Sequence, residues 1–81
     1  MDQAAILAQV NETFRAVFDD PALTVATTTT AKDVPGWDSI THITLVIELE
    51  MRFGVKFAMA EIERLRNVGE LVALLEAKLP R

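Results

Sequence analysis

Between Ser39 and Phe53 the chain sets apolar side chains on two sides of a helix at once. Leu45, Val46, Leu49 and Phe53 form one stripe, and Ile40, Ile43, Ile47 and Met51 form a second on the adjoining face. An ordinary surface helix buries one such stripe and wets the rest. A helix apolar on two sides is either largely buried or turns one stripe toward a ligand or partner. Its ends are equally marked. Asp38 and Ser39 are residues whose side-chain oxygens accept the free amide protons of a first turn, and Gly54 is a good C-terminal stop. The pattern predicts a helix over 39–53.

The flanking segments read as helical too. Ile6, Val10, Phe14, Val17 and Phe18 recur at helical spacing and predict an amphipathic helix over 3–18, with Asp2 as N-cap. Asp19-Asp20-Pro21 ends it, because the residue before a proline is pushed out of the helical region. Residues 19–37 have no clear period, and the β-branched run Thr27-Thr28-Thr29-Thr30 disfavours helix. So long a connection is unusual in a small domain, and Leu23, Val25 and Val34 are expected to pin it to the core. Pro35-Gly36 is a turn signal, and Trp37 reads as a large aromatic packing the loop onto the helices. A short helical turn is expected at 59–65. A last helix follows over 68–79, with Val68, Leu71, Val72, Leu75 and Leu79 on one face, Asn67 as N-cap and Pro80 beyond its end. The fold class is all-α: three main helices plus a short one, in a single domain of 81 residues.

Composition narrows the function. The chain has no cysteine and one histidine, which excludes disulfides, thiolate metal sites and a histidine-rich metal site. Its carboxylates are scattered without calcium-loop spacing, so no metal is expected. The net charge of −4 sits wholly in residues 1–38, with six acids against two bases; residues 39–81 hold six of each. An acidic chain repels phosphate backbones, which argues against nucleic-acid binding. No signal peptide is evident, and apolar runs such as Leu71 to Leu75 fall far short of the ~20 residues that span a bilayer. A cytoplasmic, monomeric protein that does not enter membranes is the expectation. Glu48/Arg52 and Glu70/Lys78 read as pairs on solvated faces.

Ser39 is open to two readings that coexist. It belongs to a helix start where capping is the ordinary role of serine, yet Asp38 can cap while Ser39 points outward. A phosphate there would meet free N–H groups and the positive end of the helix dipole. His42, three residues on, lies near Ser39 on the helix. A nucleophile also needs a base in hydrogen-bond reach, a pocket and an oxyanion stabiliser. No glycine-rich elbow accompanies this serine, so no catalytic residue is assigned and His42 is expected to be half-buried, facing the loop or the site.

Identification rests on resemblance. The triplet Asp38-Ser39-Ile40, the aliphatic residues at matching intervals, Phe53-Gly54-Val55 and the helix opening Val68-Gly69-Glu70 resemble the acyl carrier proteins, the phosphopantetheine-binding carrier family. The likeness is close over about 34–79, and covers the first helix and loop by length and pattern only. It implies a four-helix bundle whose Ser39 hydroxyl, flanked by Asp38 and Ile40, receives a 4′-phosphopantetheine arm from coenzyme A through a phosphopantetheinyl transferase. The arm's thiol would hold an acyl group as a thioester and present it to acyl-loading and synthase enzymes; the carrier performs no reaction itself. The missing cysteine is compatible with a thiol supplied from outside.

The resemblance further implies that partners bind the second helix, at Ile40, Thr41, Thr44, Ile47, Glu50 and Met51. It also implies that cargo can shelter between helices, where Ile43, Leu49, Ile62 and Leu65 are candidate wall residues; ordinary core packing explains those four equally well. The chain departs from carriers of ordinary fatty-acid synthesis in charge. Thr41, Thr44 and Met51 stand where acids are usual, Glu50 is the acid retained, and Met59-Ala60 open the third helix in place of acids. This reads as a specialised, free-standing carrier whose docking depends more on apolar contact and less on steering, in fatty-acid, polyketide or related synthesis. A carrier of amino acids shares fold and serine and stays open. So does an unmodified helical adaptor that binds protein through the second helix.

Overall fold

The computed structural model describes residues 2–79. In it α1 spans Gln3–Val17, α2 Ser39–Phe53, α3 Met59–Glu63 and α4 Val68–Lys78, with a 3₁₀ turn at Ala31–Asp33 in the long first loop. No strand occurs among the described residues. The expected helix ends hold to within two residues: α1 stops at Val17 rather than Phe18, α3 at Glu63 rather than Leu65, α4 at Lys78 rather than Leu79. Pro80 lies outside the described residues; Leu79 before it is already extended, with ψ 146°, as a residue preceding proline must be.

The end of α1 has a cause beyond Pro21. Asp19 adopts φ 51°, its N–H donates to Ala16 O at 3.4 Å and the Asp20 N–H to Arg15 O at 3.0 Å. That pair of reversed bonds is a Schellman motif, with aspartate in the left-handed position glycine usually takes. At the other end Asp2 caps, accepting the Ala5 N–H at 2.8 Å.

α1, α2 and α4 each turn one stripe inward. Ile6, Val10 and Phe14 meet Leu45 and Leu49, and Val68, Leu71, Val72 and Leu75 close the third side. Val25 and Val34 from the loop are buried in the same core, and Leu23 packs against it. α3 has only five residues and buries none fully, so it is too short to stand by itself. It is tied down by Lys78 Nζ to Glu61 Oε1 at 2.9 Å and by Glu61 accepting the Ala58 N–H at 2.8 Å.

The long loop is ordered by polar contacts. Asn11, buried at 8% exposure on α1, accepts the Val25 N–H at 2.7 Å and donates to Val25 O at 3.1 Å, pairing with the loop as a neighbouring strand would. Arg15 Nε donates to Leu23 O at 2.7 Å. The threonine run supplies carbonyls to the start of α4: Val68 N–H donates to Thr29 O at 2.9 Å and Gly69 N–H to Thr27 O at 2.8 Å. With the loop folded down, the Cα radius of gyration is 11.5 Å, against ~11.7 Å for a compact domain of this length.

Two expected charge pairs form differently. Arg52 bonds Glu12 at 3.0 Å across the α1–α2 seam and Gln9 at 3.2 Å; it does not pair with Glu48. Lys78 takes Glu61, while Glu70 accepts the Arg66 N–H one turn before its own helix. Charged side chains pair with what packing brings near, and one helix's periodicity does not specify that.

Candidate functional site

The approach to α2 is built by the turn at Val34–Trp37. Trp37 N–H donates to Val34 O at 3.2 Å and Gly36 has φ 86°, the glycine position of a type II turn with Pro35 before it. The turn sends Trp37 inward. Its ring meets Phe14 edge-on at 5.2 Å and Phe18 at 6.4 Å.

Asp38 then caps the helix. Its Oδ1 accepts the N–H groups of Ile40 and Thr41, each at 3.0 Å. The Thr41 hydroxyl accepts the Asp38 N–H at 2.8 Å and donates to Gly36 O at 2.8 Å. These bonds, the Thr41 N–H foremost, hold the Asp38 carboxyl below the usual aspartate range. Because Asp38 does the capping, the Ser39 hydroxyl is left over: it makes no hydrogen bond among the described residues, and Ser39 is exposed at the first turn of α2. It is the chain's single serine.

Ser39 stands at the edge of a pocket of about 330 Å³ that runs beside α2. Asp38, Ser39, Arg66 and Asn67 supply its polar lining, Trp37 and His42 an aromatic part, and Leu45, Val46, Leu49, Leu65 and Leu71 an aliphatic interior. His42 is half-buried; its Nδ1 accepts the Trp37 indole N–H at 3.0 Å. That bond takes the one acceptor nitrogen of a neutral imidazole, leaving none for a serine proton, and no bond joins Ser39 to His42 among the described residues.

The other expected site residues scatter. Ile40, Ile43, Ile47 and Met51 stand 74%, 61%, 49% and 73% exposed, so the second stripe faces solvent. Ile43 is thereby corrected: it lies about 120° around the helix from Leu49 and walls no cavity with it. Leu49 and Leu65 line the pocket, whereas Ile62, half-buried on α3, does not. Thr41 and Glu50 are half-buried and already bonded: the Thr41 hydroxyl in the cap, and Glu50 to the Phe57 N–H at 2.9 Å, tying the segment after α2 back to the helix. Thr44 is exposed, its hydroxyl bonded to Ile40 O at 3.2 Å. Sequence reasoning missed Arg66 at the pocket edge; its signal was its position immediately before the Asn67 cap. Among the described residues no cluster of acidic or histidine side chains could hold a metal ion, and no helix is long and apolar enough to cross a membrane.

An exposed serine hydroxyl at a helix start, with no base in contact, lacks the partners of a catalytic nucleophile and is open to modification. The family model for a phosphopantetheine attachment site matches residues 8–75. The chain is 41% identical over 44 residues to an acyl carrier protein of Thermotoga maritima, a match spanning 54% of this chain and about half, 54%, of that relative's length. Its fold matches the solution structure of a holo acyl carrier protein from Geobacter metallireducens with a TM-score of 0.85, at 38% identity over 90% of this chain and 84% of the other. The chain belongs to the phosphopantetheine-attachment family of acyl carrier proteins. The proteins of this family are carriers rather than enzymes, and the family's prosthetic group is phosphopantetheine. The residues present fit that group: a free hydroxyl for the phosphodiester, a helix N-terminus beside it, Arg66 lining the same pocket, and aliphatic walls beyond.

Proposed function

We propose that Ser39 is the attachment point of the arm and that the chain carries acyl intermediates on it as thioesters. It would present them to enzymes of fatty-acid, polyketide or related specialised synthesis. The observation that carries this reading is the Ser39 hydroxyl, unspent in capping and opening on a pocket with aliphatic walls. The aliphatic walls of Leu45, Leu49, Leu65 and Leu71 favour hydrocarbon cargo over a charged ammonium; the acid lining the pocket, Asp38, is next to Ser39 and engaged in the cap. A phosphopantetheinyl transferase and the loading and synthase enzymes would dock on the exposed stripe of Ile40, Ile47 and Met51, with Thr44 beside it. Glu50 and Thr41 contribute by holding the helix rather than by contact. The protein acts as a cytoplasmic monomer in this reading.

The test is incubation with coenzyme A, Mg²⁺ and a broad-specificity transferase, read by intact mass for wild type and Ser39→Ala. One added phosphopantetheine in wild type alone supports the assignment. No addition to a folded protein, with a control carrier modified, removes it and leaves a helical adaptor. Salt tests the docking mode: partner affinity should fall little between low and physiological ionic strength, and a collapse would mean that charge dominates.

A further inference from the structure

The chain's one tryptophan and one histidine are bonded to each other. Trp37 Nε1–H donates to His42 Nδ1 at 3.0 Å, and the rings lie 6.0 Å apart at 23°. An indole N–H can only donate, and a neutral imidazole has one donor and one acceptor. Nδ1 is the acceptor here, so the proton of neutral His42 resides on Nε2. The tautomer is imposed by a donor that is itself held, because Trp37 packs edge-on against Phe14 at 5.2 Å.

Nε2 makes no hydrogen bond among the described residues, and no buried side-chain nitrogen or oxygen among them lacks a partner. Nε2 therefore reaches open space, and His42 lines the pocket that Ser39 edges. Two of the other polar side chains there are already engaged. The Asp38 carboxylate holds two first-turn amides, and Asn67 Oδ1 accepts the Glu70 N–H at 2.8 Å. Along α2 the lining runs Ser39, His42, Leu45, Val46, Leu49, so the imidazole is a polar step between the serine and the aliphatic interior.

We infer that His42 is a specificity-determining residue: its Nε2–H donates to a carbonyl or hydroxyl oxygen of whatever enters this pocket from Ser39. The inference rests on Ser39 as the attachment point. A donor enclosed by an occupant without an acceptor is left unpaired, so oxygen-bearing occupants are favoured on the order of ten-fold over plain hydrocarbon at this level. The oxygen can belong to an amide of the arm or to cargo oxygenated near its thioester. Trp37 is the positioning residue, acting through the ring.

The experiment is ¹H–¹⁵N correlation of the imidazole, where a single histidine gives a single set of signals. It uses ¹⁵N-labelled protein at mildly alkaline pH in four forms: unmodified, with the arm, and with the arm bearing a straight-chain alkanoyl or a 3-hydroxyalkanoyl group of equal length. Each form is verified by intact mass. The unmodified protein should show the Nε2–H tautomer. A shift of the Nε2 signals on adding the arm identifies an arm amide; a shift confined to the hydroxylated cargo identifies the cargo oxygen; either supports the inference. An Nδ1–H tautomer, or Nε2 signals that superimpose in all four forms, overturns it. Trp37→Phe should give a tautomer mixture and a smaller loading shift; an unchanged tautomer and shift would remove the positioning role. Failure to gain mass brings down the Ser39 reading and this inference together, whereas mass gained without a shift brings down this one alone.

Discussion

Asn11→Ala removes a side chain that joins α1 to the long loop by both a donor and an acceptor. The Val25 N–H and C=O lose partners at 2.7 and 3.1 Å in a residue only 2% exposed. The bond from Asn11 to Leu7 O costs little, since that carbonyl keeps its place in the helix. Each orphaned buried group costs about 1–3 kcal/mol, and the better helix propensity of alanine returns about 0.6 kcal/mol. The net loss is about 1.5–5.5 kcal/mol. At about 4–8 °C per kcal/mol for a domain of this size, the melting temperature should fall by about 6–44 °C. Thermal melts by far-UV circular dichroism measure it, with urea unfolding alongside to confirm an unchanged m-value. A fall below about 4 °C would refute the reasoning: water would then be replacing the side chain, and the pairing would not be what orders the approach to Ser39.

Gly69→Ala places a Cβ 2.8 Å from Thr27 O and 3.2 Å from Thr27 Cβ, so the loop must shift; overpacking of about 1–3 kcal/mol should outweigh the propensity gain of about 1 kcal/mol, giving a lower melting temperature. Asp38 has its folded pKa held down by the Thr41 N–H, so its contribution is complete above the ordinary aspartate pKa of about 3.9 and is lost as pH falls through the lower folded value. Asp38→Asn keeps a good cap and should flatten the acid side of a plot of urea midpoint against pH. Ile47→Glu, on the exposed stripe, should leave stability within about 0.5 kcal/mol yet slow transferase modification of Ser39 by about ten-fold, on the scale of an interface anchor; equal rates would move docking elsewhere. Arg52→Ala should cost less than about 1 kcal/mol in thermal or urea unfolding, because its pair with Glu12 is solvent-facing.

The sequence made the three long helices and their inward stripes legible because apolar spacing has one consequence: Leu45 and Leu49 cannot be buried without turning Ile43 and Ile47 outward. The same arithmetic, applied to Ile43, would have excluded it as a cavity wall. The cap was legible as residue types, Asp38 before Ser39, but the engagement of Thr41 with Gly36 depends on a turn that only tertiary structure fixes. Asn11 carried a readable signal, a polar residue beside Val10 on the buried face of α1, although its partner lies 14 residues away in a segment without period. Arg52 and Lys78 chose partners on other helices, and Glu50 a backbone amide, for reasons of packing. The Trp37–His42 bond joins two residues the sequence placed at the site separately, a loop aromatic and a half-buried imidazole.

The central claim is that Ser39 and no other hydroxyl carries the arm. Trypsin should release residues 33–52 as one peptide, bounded by Lys32 and Arg52 and holding Ser39 together with Thr41 and Thr44. After modification from coenzyme A, fragmentation of that peptide by mass spectrometry should place one phosphopantetheine on Ser39. An unmodified peptide, or an addition borne by Thr41 or Thr44, would contradict it.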